Sequence, residues 1–328
     1  MRVMSNKLDI SVVVPTFNEE ESLPELVAWV ARVMAANNFR YEMLFIDDGS
    51  SDSTWEVIEQ LSASSDTIRA IRFRRNYGKS AALYAGFEAA EGEVVITMDA
   101  DLQDSPDEIP ALYRMITEEG YDMVSGWKRK RHDPLGKRLP SKFFNATCRV
   151  VSGIKLHDFN CGLKAYRKKV IKSIEVYGEM HRYIPILASR AGFKRIGEKV
   201  VEHYPRKYGH SKYGLSRMLK GYLDLITVSF ISHFGRSPMY FFGGLGTLMF
   251  LLGGVATVWI IADKLIKQAR HLPFRAVADM PLFYLAILAV ILGAMLFLAG
   301  FLGELINRNS PVRNNYLIDE KIENKKNK

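Results

Sequence analysis

Two carboxylates and an amide follow an apolar run near the middle of the sequence, and their spacing could hold a metal ion. The run extends from Val94 to Met98, and Asp99, Asp101 and Gln103 come directly after it. It predicts a buried strand, and in open α/β sheets ligands bind beyond the carboxyl ends of the strands. Carboxylate and amide oxygens suit a hard cation that also binds phosphate oxygens. An isolated Asp-x-Asp pattern is more often a polar turn, so its interpretation depends on the rest of the chain.

The elements that would position these residues alternate between strand-like and helix-like segments. The strand-like segments are 10–15, 41–46, 68–74 and the run that ends at Asp99, and the helix-like segments are 22–36, 53–64 and 80–90. Repeated units of this length predict a mostly parallel sheet covered by helices on both faces. All four strands then end at the same edge of the sheet.

The residues at these strand ends are of the types that a nucleotide needs. Carboxylates accept hydrogen bonds from ribose hydroxyls and base N–H groups, and an ammonium group can face phosphate. The candidates are Glu19, Asp47, Asp48 and Lys79. Each alone is compatible with a helix cap or a turn, but their recurrence at successive strand ends favours a nucleotide site.

Two apolar stretches near the C-terminus predict membrane-spanning helices. Ser237 to Ala262 contains no charged residue, and Pro281 to Ile306 contains only Glu304. Each exceeds the roughly 20 residues that cross a bilayer. A pair of buried core helices is the alternative. Beside such stretches, the formal net charge of +9 favours a membrane over nucleic acid as the partner.

The expected orientation places both ends of the chain in the cytoplasm. An even number of spans returns the chain to the same side, and Met1 to Asp9 does not resemble a secretory signal. The link between the spans is also basic, so the missing signal is a stronger argument than charge asymmetry. The two cysteines, Cys148 and Cys161, are expected to be reduced packing residues.

Three short motifs occur in order along the first third of the chain. They are Pro15-Thr16-Phe17-Asn18-Glu19, Asp47-Asp48-Gly49-Ser50, and Asp99-Ala100-Asp101-Leu102-Gln103 followed by Pro106. In this combination they resemble the motifs of the GT-A fold glycosyltransferases of family 2. More narrowly, the chain over about residues 8–310 is similar to the polyprenyl-phosphate glycosyltransferases, such as dolichyl-phosphate mannose synthases and bactoprenol glucosyltransferases. The Gln-x-x-Arg-Trp signature of the processive members does not occur in the sequence.

The resemblance implies a nucleotide sugar as donor and a divalent cation, Mg2+ or Mn2+, as cofactor. Asp101 and Gln103 would hold the cation, with Asp99 beside them facing the donor. The donor-binding positions that the resemblance implies are Pro15, Phe17, Asn18, Glu19, Asp47, Asp48, Lys79, Asp99 and Arg206.

A cationic region after the predicted strand at 121–125 resembles the part of these enzymes that binds the lipid phosphate. Basic residues alternate there with Leu139, Phe143 and Phe144, a pattern suited to a helix in the headgroup region. A solvated loop is the alternative. The acceptor-phosphate positions that the resemblance implies are Lys128, Arg131, Arg138 and Ser141, joined by Ser211 and Lys212 from a second basic segment at 204–213.

The segment from His157 to Lys164 matches the family's Asp-x-x-Cys-Gly-Phe-Lys element, with Leu163 in place of Phe. The resemblance places Asp158 near the acceptor, as a catalytic base or an orienting carboxylate, and Asp101 is the other residue expected to take part in catalysis. A phosphate monoester is already largely ionised near neutral pH, because its second pKa is about 6. Positioning of the acceptor, or stabilisation of the reacting centre, therefore stays open as the role of Asp158.

Together these features predict an α/β protein with a GT-A catalytic domain, Rossmann-like and mostly parallel, followed by interface and transmembrane helices. The expected segments are a cytoplasmic catalytic domain at 1–214, a juxtamembrane amphipathic helix at 215–235, a two-helix transmembrane domain at 236–308 and a charged cytoplasmic tail at 309–328. The expected location is the cytoplasmic membrane, with two spans.

The predicted reaction is inverting transfer of a hexose from a nucleotide sugar to a polyprenyl phosphate. Glucose from UDP-glucose is the favoured donor, and undecaprenyl phosphate is the favoured lipid. The alternatives are transfer of mannose or a modified pentose to the same lipid, a polymer-forming activity of family 2, and a non-enzymatic membrane scaffold. The sequence leaves homo-oligomerisation open and predicts no nucleic-acid partner.

Overall fold

The computed structural model describes residues 8–129, 144–150, 152–178, 180–208, 238–308 and 318–322. Contacts along the chain divide it into two compact units, residues 1–228 with 314–328 and residues 229–313. The first is called the α/β unit here and the second the helical hairpin.

A single sheet of eight strands forms the centre of the α/β unit. The strands are β1 (Ile10–Thr16), β2 (Tyr41–Asp47), β3 (Ile68–Phe73), β4 (Val94–Thr97), β5 (Met123–Trp127), β6 (Lys164–Arg167), β7 (Ile196–Val200) and β8 (Ile318–Ile322). Their order across the sheet is β7-β5-β6-β4-β1-β2-β3-β8.

The middle of this sheet is parallel, as the alternation of strands and helices predicts. β1 lies between β4 and β2 and pairs in parallel with both, and β2 pairs in parallel with β3. The register places Thr16 beside Asp47 and Val13 beside Thr97. The polar residues that follow these strands therefore meet at one edge, which confirms the predicted α/β sheet.

Two of the strands, β6 and β8, were not predicted from the sequence. β6 is antiparallel to both β4 and β5, and β8 is antiparallel to β3 at the edge of the sheet. Lys164 at the start of β6 pairs with Thr97 at the end of β4. Because β6 runs against β4, the segment that precedes it, including Asp158 and Gly162, reaches the same edge as Asp99.

Helices cover both faces of the sheet and define two apolar clusters. They are α1 (Leu23–Ala36), α2 (Thr54–Ser64), α3 (Lys79–Ala89), α4 (Ile109–Thr117), α5 (Lys168–Ile171) and α6 (Ile184–Arg190), with 3-10 turns at Pro106–Glu108 and Met180–Tyr183. The first cluster takes Leu26 of α1, Ile58 of α2 and Leu112 of α4. The second takes Leu83 of α3 and Ile184 of α6, so these two helices pack on the other face.

The helical hairpin consists of α7 (Pro238–Ala269) and α8 (Pro281–Arg308). Both are long and apolar enough to cross a membrane, at Met239–Ala269 and Pro281–Gly303. Large apolar side chains are exposed along both helices, as for Trp259 at 63% and Leu285 at 61%. Apolar surface of this extent is stable in lipid rather than in water. The first helix continues past the predicted end of the first span, Ala262, to Ala269.

Candidate active site

The end of β2 is shaped by a tight turn around Asp47. The Asp47 carboxylate is fully buried and accepts hydrogen bonds from the amide and hydroxyl of Ser50, at 3.0 and 2.5 Å. Between them, Gly49 has a φ of +70°, and a Cβ there would lie 2.6 Å from the carbonyl carbon of Arg75. The glycine of this motif is therefore required by the turn and by the close approach of the next loop. Burial raises the pKa of Asp47.

Asp48 fixes the loop that directly precedes Lys79 and so positions this lysine at the site. Its two carboxylate oxygens accept hydrogen bonds from the backbone amides of Tyr77 and Gly78, at 2.7 and 2.9 Å. Lys79 begins α3 directly after this loop and forms an ion pair with Asp99. The structure thus brings three of the predicted donor residues together. Burial raises the pKa of Asp48 to about 6, although the two amide donors oppose the shift.

The β1 motif packs against the turn that follows β2. Asn18 has a φ of +54°, donates its amide to the hydroxyl of Ser50 and accepts a hydrogen bond from the amide of Ser51. Glu19 donates its amide to the hydroxyl of Thr54 at 2.8 Å. Pro15 lines a cavity beside Lys79 and Asp99, and Phe17 is half-buried. The first two motifs therefore form one continuous wall.

The acidic motif after β4 contains a left-handed residue. Leu102 has a φ of +57° and is buried in the first apolar cluster. A leucine in this conformation carries a steric cost, which burial of its side chain offsets. Asp101, 8% exposed, lies before this bend, and its Oδ1 accepts the amide of Gln103 at 3.2 Å.

Arg206 reaches Asp101 from a distant part of the sequence. Its guanidinium lies 2.6 Å from Asp101 Oδ2. The chain before it runs along the acidic motif, because the amide of Tyr204 donates to the carbonyl of Gln103 at 2.9 Å and His203 forms a bridge with Asp104. Two residues that the sequence analysis predicts for the donor diphosphate and the metal are thus in direct contact.

Asp104, which directly follows Gln103 of the acidic motif, is paired with a residue from another strand end. Its carboxylate is fully buried and lies 2.7 Å from the ammonium of Lys128 at the end of β5. Burial alone lowers the pKa of Lys128, but the Asp104 carboxylate raises it above its ordinary value. The structure therefore places Lys128, predicted to contact the acceptor phosphate, in a buried ion pair beneath the acidic motif.

The two carboxylates of the acidic motif differ in their proton affinity. Burial raises the pKa of Asp99, but the ammonium groups of Lys79 and Lys128 lower it to about 2. Burial and the charge of Asp99 raise the pKa of Asp101 to about 6, against the effect of Arg206. Repulsion between two neighbouring carboxylates favours a cation between them.

The acidic motif fits a divalent cation that is shared with a substrate. Among the described residues no group of three or more His, Cys, Asp or Glu side chains is arranged to hold a metal ion. The chain offers oxygens from Asp99, Asp101 and Gln103, and a hard cation such as Mg2+ commonly takes its remaining ligands from phosphate and water. The residues fit a cation that binds together with a diphosphate.

The segment from His157 to Lys164 contains a glycine, Gly162, that lies directly against the Asp99 carboxylate. A Cβ on this residue would lie 2.5 Å from Oδ2 of Asp99, so no side chain fits against the carboxylate. Its carbonyl accepts a hydrogen bond from Thr97 at 2.8 Å. Asp158 of the same element is 1% exposed, and its Oδ1 accepts the amide of Asn160 at 3.0 Å. The element therefore packs directly onto the acidic motif.

Sequence reasoning missed several side chains that line the site. A cavity of about 20 Å3 lies next to Asp99, and His181 and Arg182 also line it. Lys164, 4% exposed, also lines this cavity and donates to the carbonyl of Cys161. Adjacent titratable residues within the apolar segment at 180–190 were the signal that could have found His181 and Arg182.

Five predicted acceptor residues lie outside the described part of the chain. They are Arg131, Arg138, Ser141, Ser211 and Lys212. Their roles stay predictions.

A family model described as Glycosyl transferase family 2 matches residues 11–175. The chain is 35% identical to a dodecaprenyl-phosphate galacturonate synthase of Rhizobium johnstonii over 304 residues, which cover 92% of this chain and 88% of that protein. It is 36% identical to an undecaprenyl-phosphate 4-deoxy-4-formamido-L-arabinose transferase of Pseudomonas savastanoi over 300 residues, which cover 91% of this chain and 86% of that protein.

A similar fold occurs in solved structures of glucosyl-3-phosphoglycerate synthase from Mycobacterium tuberculosis. In its complex with Mn2+, UDP-glucose and phosphoglyceric acid, the likeness has a TM-score of 0.52 at 20% identity and covers 69% of this chain and 79% of that one. At this identity the likeness shows the fold alone, and it agrees with the predicted GT-A architecture.

Proposed function

Because this chain belongs to glycosyltransferase family 2, we propose that it transfers a sugar from a nucleotide donor to a polyprenyl phosphate. The observation that carries the proposal is a pair of ion pairs at one edge of the sheet. Lys79 pairs with Asp99, and Arg206 pairs with Asp101. Relatives whose alignments cover more than nine-tenths of the chain bear names of polyprenyl-phosphate sugar transferases, which supports the acceptor class.

The proposed donor site lies along the ends of β1, β2 and β4. Asp47 and Asp48 organise the wall that would face the nucleoside, and Lys79 and Arg206 supply positive charge for the diphosphate. These cations pair with carboxylates in the structure, so a diphosphate would exchange one anion for another without burying an uncompensated charge. Fixed cations at this point stabilise the negative charge that develops on the leaving nucleotide.

The proposed reaction forms one bond and breaks one. An oxygen of the lipid phosphate attacks the anomeric carbon, and the bond from that carbon to the diphosphate breaks with its electron pair leaving on the nucleoside diphosphate. Attack from the opposite face inverts the anomeric centre. Asp101 and Gln103, with Asp99 beside them, would hold a divalent cation, Mg2+ or Mn2+, which when bound neutralises charge on the diphosphate.

Asp158 is proposed to orient the acceptor rather than to accept its proton. Its carboxylate is buried and already hydrogen-bonded to the chain at Asn160. The lipid phosphate needs no base near neutral pH, because its second pKa is about 6. An ordered carboxylate close to the reacting centre can fix the position of the acceptor and of Asn160, which lines the cavity.

The helical hairpin is proposed to anchor the enzyme at its lipid substrate. The two apolar helices are long enough to cross a bilayer, and the polyprenyl chain is itself a membrane component. We propose the cytoplasmic membrane as the location, with the α/β unit and the C-terminal tail on the cytoplasmic side. The proposed boundaries are those predicted from the sequence, with the amphipathic segment at 215–235 joining the two parts. Homo-oligomerisation is left open.

The test offers radiolabelled nucleotide sugars and undecaprenyl phosphate to the purified full chain in detergent and counts label in the extracted lipid. The donors are UDP-glucose, UDP-galactose, UDP-glucuronate, UDP-galacturonate, UDP-4-deoxy-4-formamido-L-arabinose and GDP-mannose. We expect lipid label with at least one of them, lost on adding EDTA and restored by Mg2+ or Mn2+. Asp101→Asn should lower the rate by about 100-fold or more, because it removes a fixed charge from the site.

Glu59→Gln is the matched control, since Glu59 is an exposed acid on α2, away from the strand ends. Its rate should equal that of the wild type. Absence of lipid label with every donor would count against the enzyme proposal, and transfer that persists in EDTA would exclude the cation. Glucose, which the family resemblance favours, stays a prediction until the donors are compared.

A further inference from the structure

The cavity beside Asp99 is cationic. It is lined by Asp99 and Lys79, by the loop at Phe159–Gly162, by His181 and Arg182, and by Lys164. Three of these side chains are Lys or Arg, against a single carboxylate. Lys79 pairs with Asp99, which leaves Lys164 and Arg182 without a compensating acid in the lining.

Arg182 is distinct from the other cations of this lining. Lys164 donates to the carbonyl of Cys161, whereas Arg182 makes no hydrogen bond or ion pair with any described residue. It is half-buried, so its guanidinium is partly removed from water. Burial lowers the pKa of His181 well below its ordinary value, and the charges of Lys79 and Arg182 lower it further. The imidazole is therefore neutral and does not compete with Arg182 for an anion.

The size of the cavity limits what enters it. About 20 Å3 exceeds the roughly 10–15 Å3 that one water needs, but is far less than a pyranose ring occupies. A single polar substituent of a sugar held above the cavity fits this space. A planar carboxylate suits it best, because guanidinium binds carboxylates through two parallel hydrogen bonds.

We infer that Arg182 binds a carboxylate on the transferred sugar, so that the donor is a nucleoside diphosphate hexuronate. This inference rests on the proposed function and favours a hexuronate over the glucose expected from the family resemblance. The relatives do not decide the point by identity, because one is named for galacturonate and the other for a formamido sugar at nearly equal identity. A cationic cavity favours the sugar that carries a carboxylate over the neutral formamido sugar.

The cavity lining contains Arg182 but not Lys128, the described residue that is predicted to contact the lipid phosphate. Leu83, Phe159 and Ile184 in its lining belong to the second apolar cluster, on the α3 face of the sheet, and Met98 and Cys161 belong to the first. Lys128 pairs instead with Asp104, and Leu102 and Val201 next to the Asp104–His203 bridge belong to the first cluster, on the other face. Lys128, the predicted phosphate contact, is not part of the cavity lining and is already paired with Asp104, whereas Arg182 lines the cavity.

The experiment measures kcat/KM of the full chain with UDP-glucuronate and UDP-galacturonate, and with UDP-glucose and UDP-galactose, on undecaprenyl phosphate. The wild type should prefer one of the uronates. Arg182→Gln should lower kcat/KM for that uronate by about 10- to 100-fold, the usual effect of losing a charged hydrogen bond, without change for neutral donors. Arg182→Lys should retain part of the uronate activity, because it keeps the charge and loses the bidentate geometry.

Arg190→Gln is the matched control, because Arg190 is an exposed arginine on α6 outside the cavity. It should leave every donor unchanged. A wild type that prefers neutral sugars overturns the inference while the proposed function stands, and so does an equal loss with all donors in Arg182→Gln. If no donor labels the lipid, the proposed function fails. Calorimetric binding of the four donors then decides the inference alone, and equal affinities for uronate and neutral donors overturn it.

Discussion

Gly162 is the residue at which the backbone and the acidic motif lie closest together. A Cβ there would overlap the Asp99 carboxylate at 2.5 Å, but the overlapping atoms are the far end of a side chain that can rotate away. Substitution should therefore displace Asp99 from Lys79 while leaving the fold intact. A substitution at Gly162 therefore tests the geometry of the site without a large change in the stability of the protein.

We predict that Gly162→Ala lowers the rate of sugar transfer by about 100-fold with little change in thermal stability. The reason is that displacement of a reacting or binding group by about 1 Å commonly costs this much. Transfer assays and thermal unfolding of the same preparation test it. Gly254→Ala is the control, because nothing lies within 4 Å of its added methyl group. Full activity in Gly162→Ala would show that the position of Asp99 is not critical.

Asp48 makes a pH-dependent contribution to stability that can be isolated. Burial raises its pKa in the folded protein from 3.8 to about 6, so the folded state binds this proton more readily than the unfolded state does. Stability from this group is therefore present below about pH 4 and is lost as pH rises through 6. The difference between a pKa of 3.8 and one of about 6 corresponds to roughly 3 kcal/mol at most.

We predict that the wild type loses stability relative to Asp48→Asn as the pH is raised from 4.5 to 7.5. The substitution also lowers stability at every pH, because an amide accepts only one of the hydrogen bonds from Tyr77 and Gly78. The measured quantity is thus the change with pH of the difference in unfolding midpoint between the two proteins. A difference that is constant over this range would contradict the raised pKa.

Residues at strand ends could be predicted from the sequence because the point at which an apolar run stops marks the end of the strand. Asp47, Asp99 and Asp101 follow such runs, and the parallel order brings them together. The partner of Asp104 could not be predicted, because Lys128 reaches it only through the position of β5 across the sheet. Arg182 was missed because helical periodicity indicates which residues are buried and gives no information about an unpaired charge.

At the scale of elements, the βα units were predictable and the antiparallel strands were not. Predicted strands and helices up to Asp99 agree with the structure to within a few residues at their ends. β6 has only four residues, Lys-Ala-Tyr-Arg, which contain neither an apolar run nor a clear alternation. β8 lies beyond the apolar helices in the sequence and pairs with β3, a contact that no local pattern indicates. Such strands are defined by their neighbours rather than by their own sequence.

The glycines of α7 make the packing of the hairpin testable. A Cβ on Gly253 would lie 2.6 Å from the carbonyl oxygen of Ala286 on α8, whereas the adjacent Gly254 has nothing within 4 Å. Close approach of helices at small residues is the usual mode of association in membranes. The two neighbouring positions form a matched pair on one helix.

We predict that Gly253→Leu separates the two helices and Gly254→Leu does not. Forcing a large side chain against a backbone should cost about 1–3 kcal/mol. Heating the detergent-solubilised protein and measuring the fraction that stays soluble should give a lower midpoint for Gly253→Leu only. Equal midpoints for the two variants would mean that α7 and α8 do not pack through this face.

At the scale of the whole molecule, the number of spans determines on which side each part lies. In the proposed topology two spans return the chain to the side from which it entered, and the link between α7 and α8 is expected on the side opposite the α/β unit. This link carries the exposed residue Ala276. The sequence predicted the two spans because uncharged stretches of this length are rare in soluble cores, whereas their orientation depends on the membrane and is not specified by packing.

This orientation can be measured by cysteine labelling without first replacing the two native cysteines. Cys148 and Cys161 are 0% and 1% exposed, and burial raises the pKa of each thiol to about 12. Neither forms much thiolate at neutral pH, so neither should react with a maleimide while the protein is folded. A single introduced cysteine then reports its own side of the membrane.

We predict that Ala276→Cys reacts with a membrane-impermeant maleimide in intact bacterial cells that express the chain. Glu59→Cys, at an exposed position of the α/β unit, should react only after the cells are permeabilised. The reason is that the proposed topology places the α/β unit in the cytoplasm, where a nucleotide donor is made, and the link on the outer side. Labelling of Glu59→Cys in intact cells would reverse the orientation, and labelling of both sites there would mean that the hairpin does not cross the membrane.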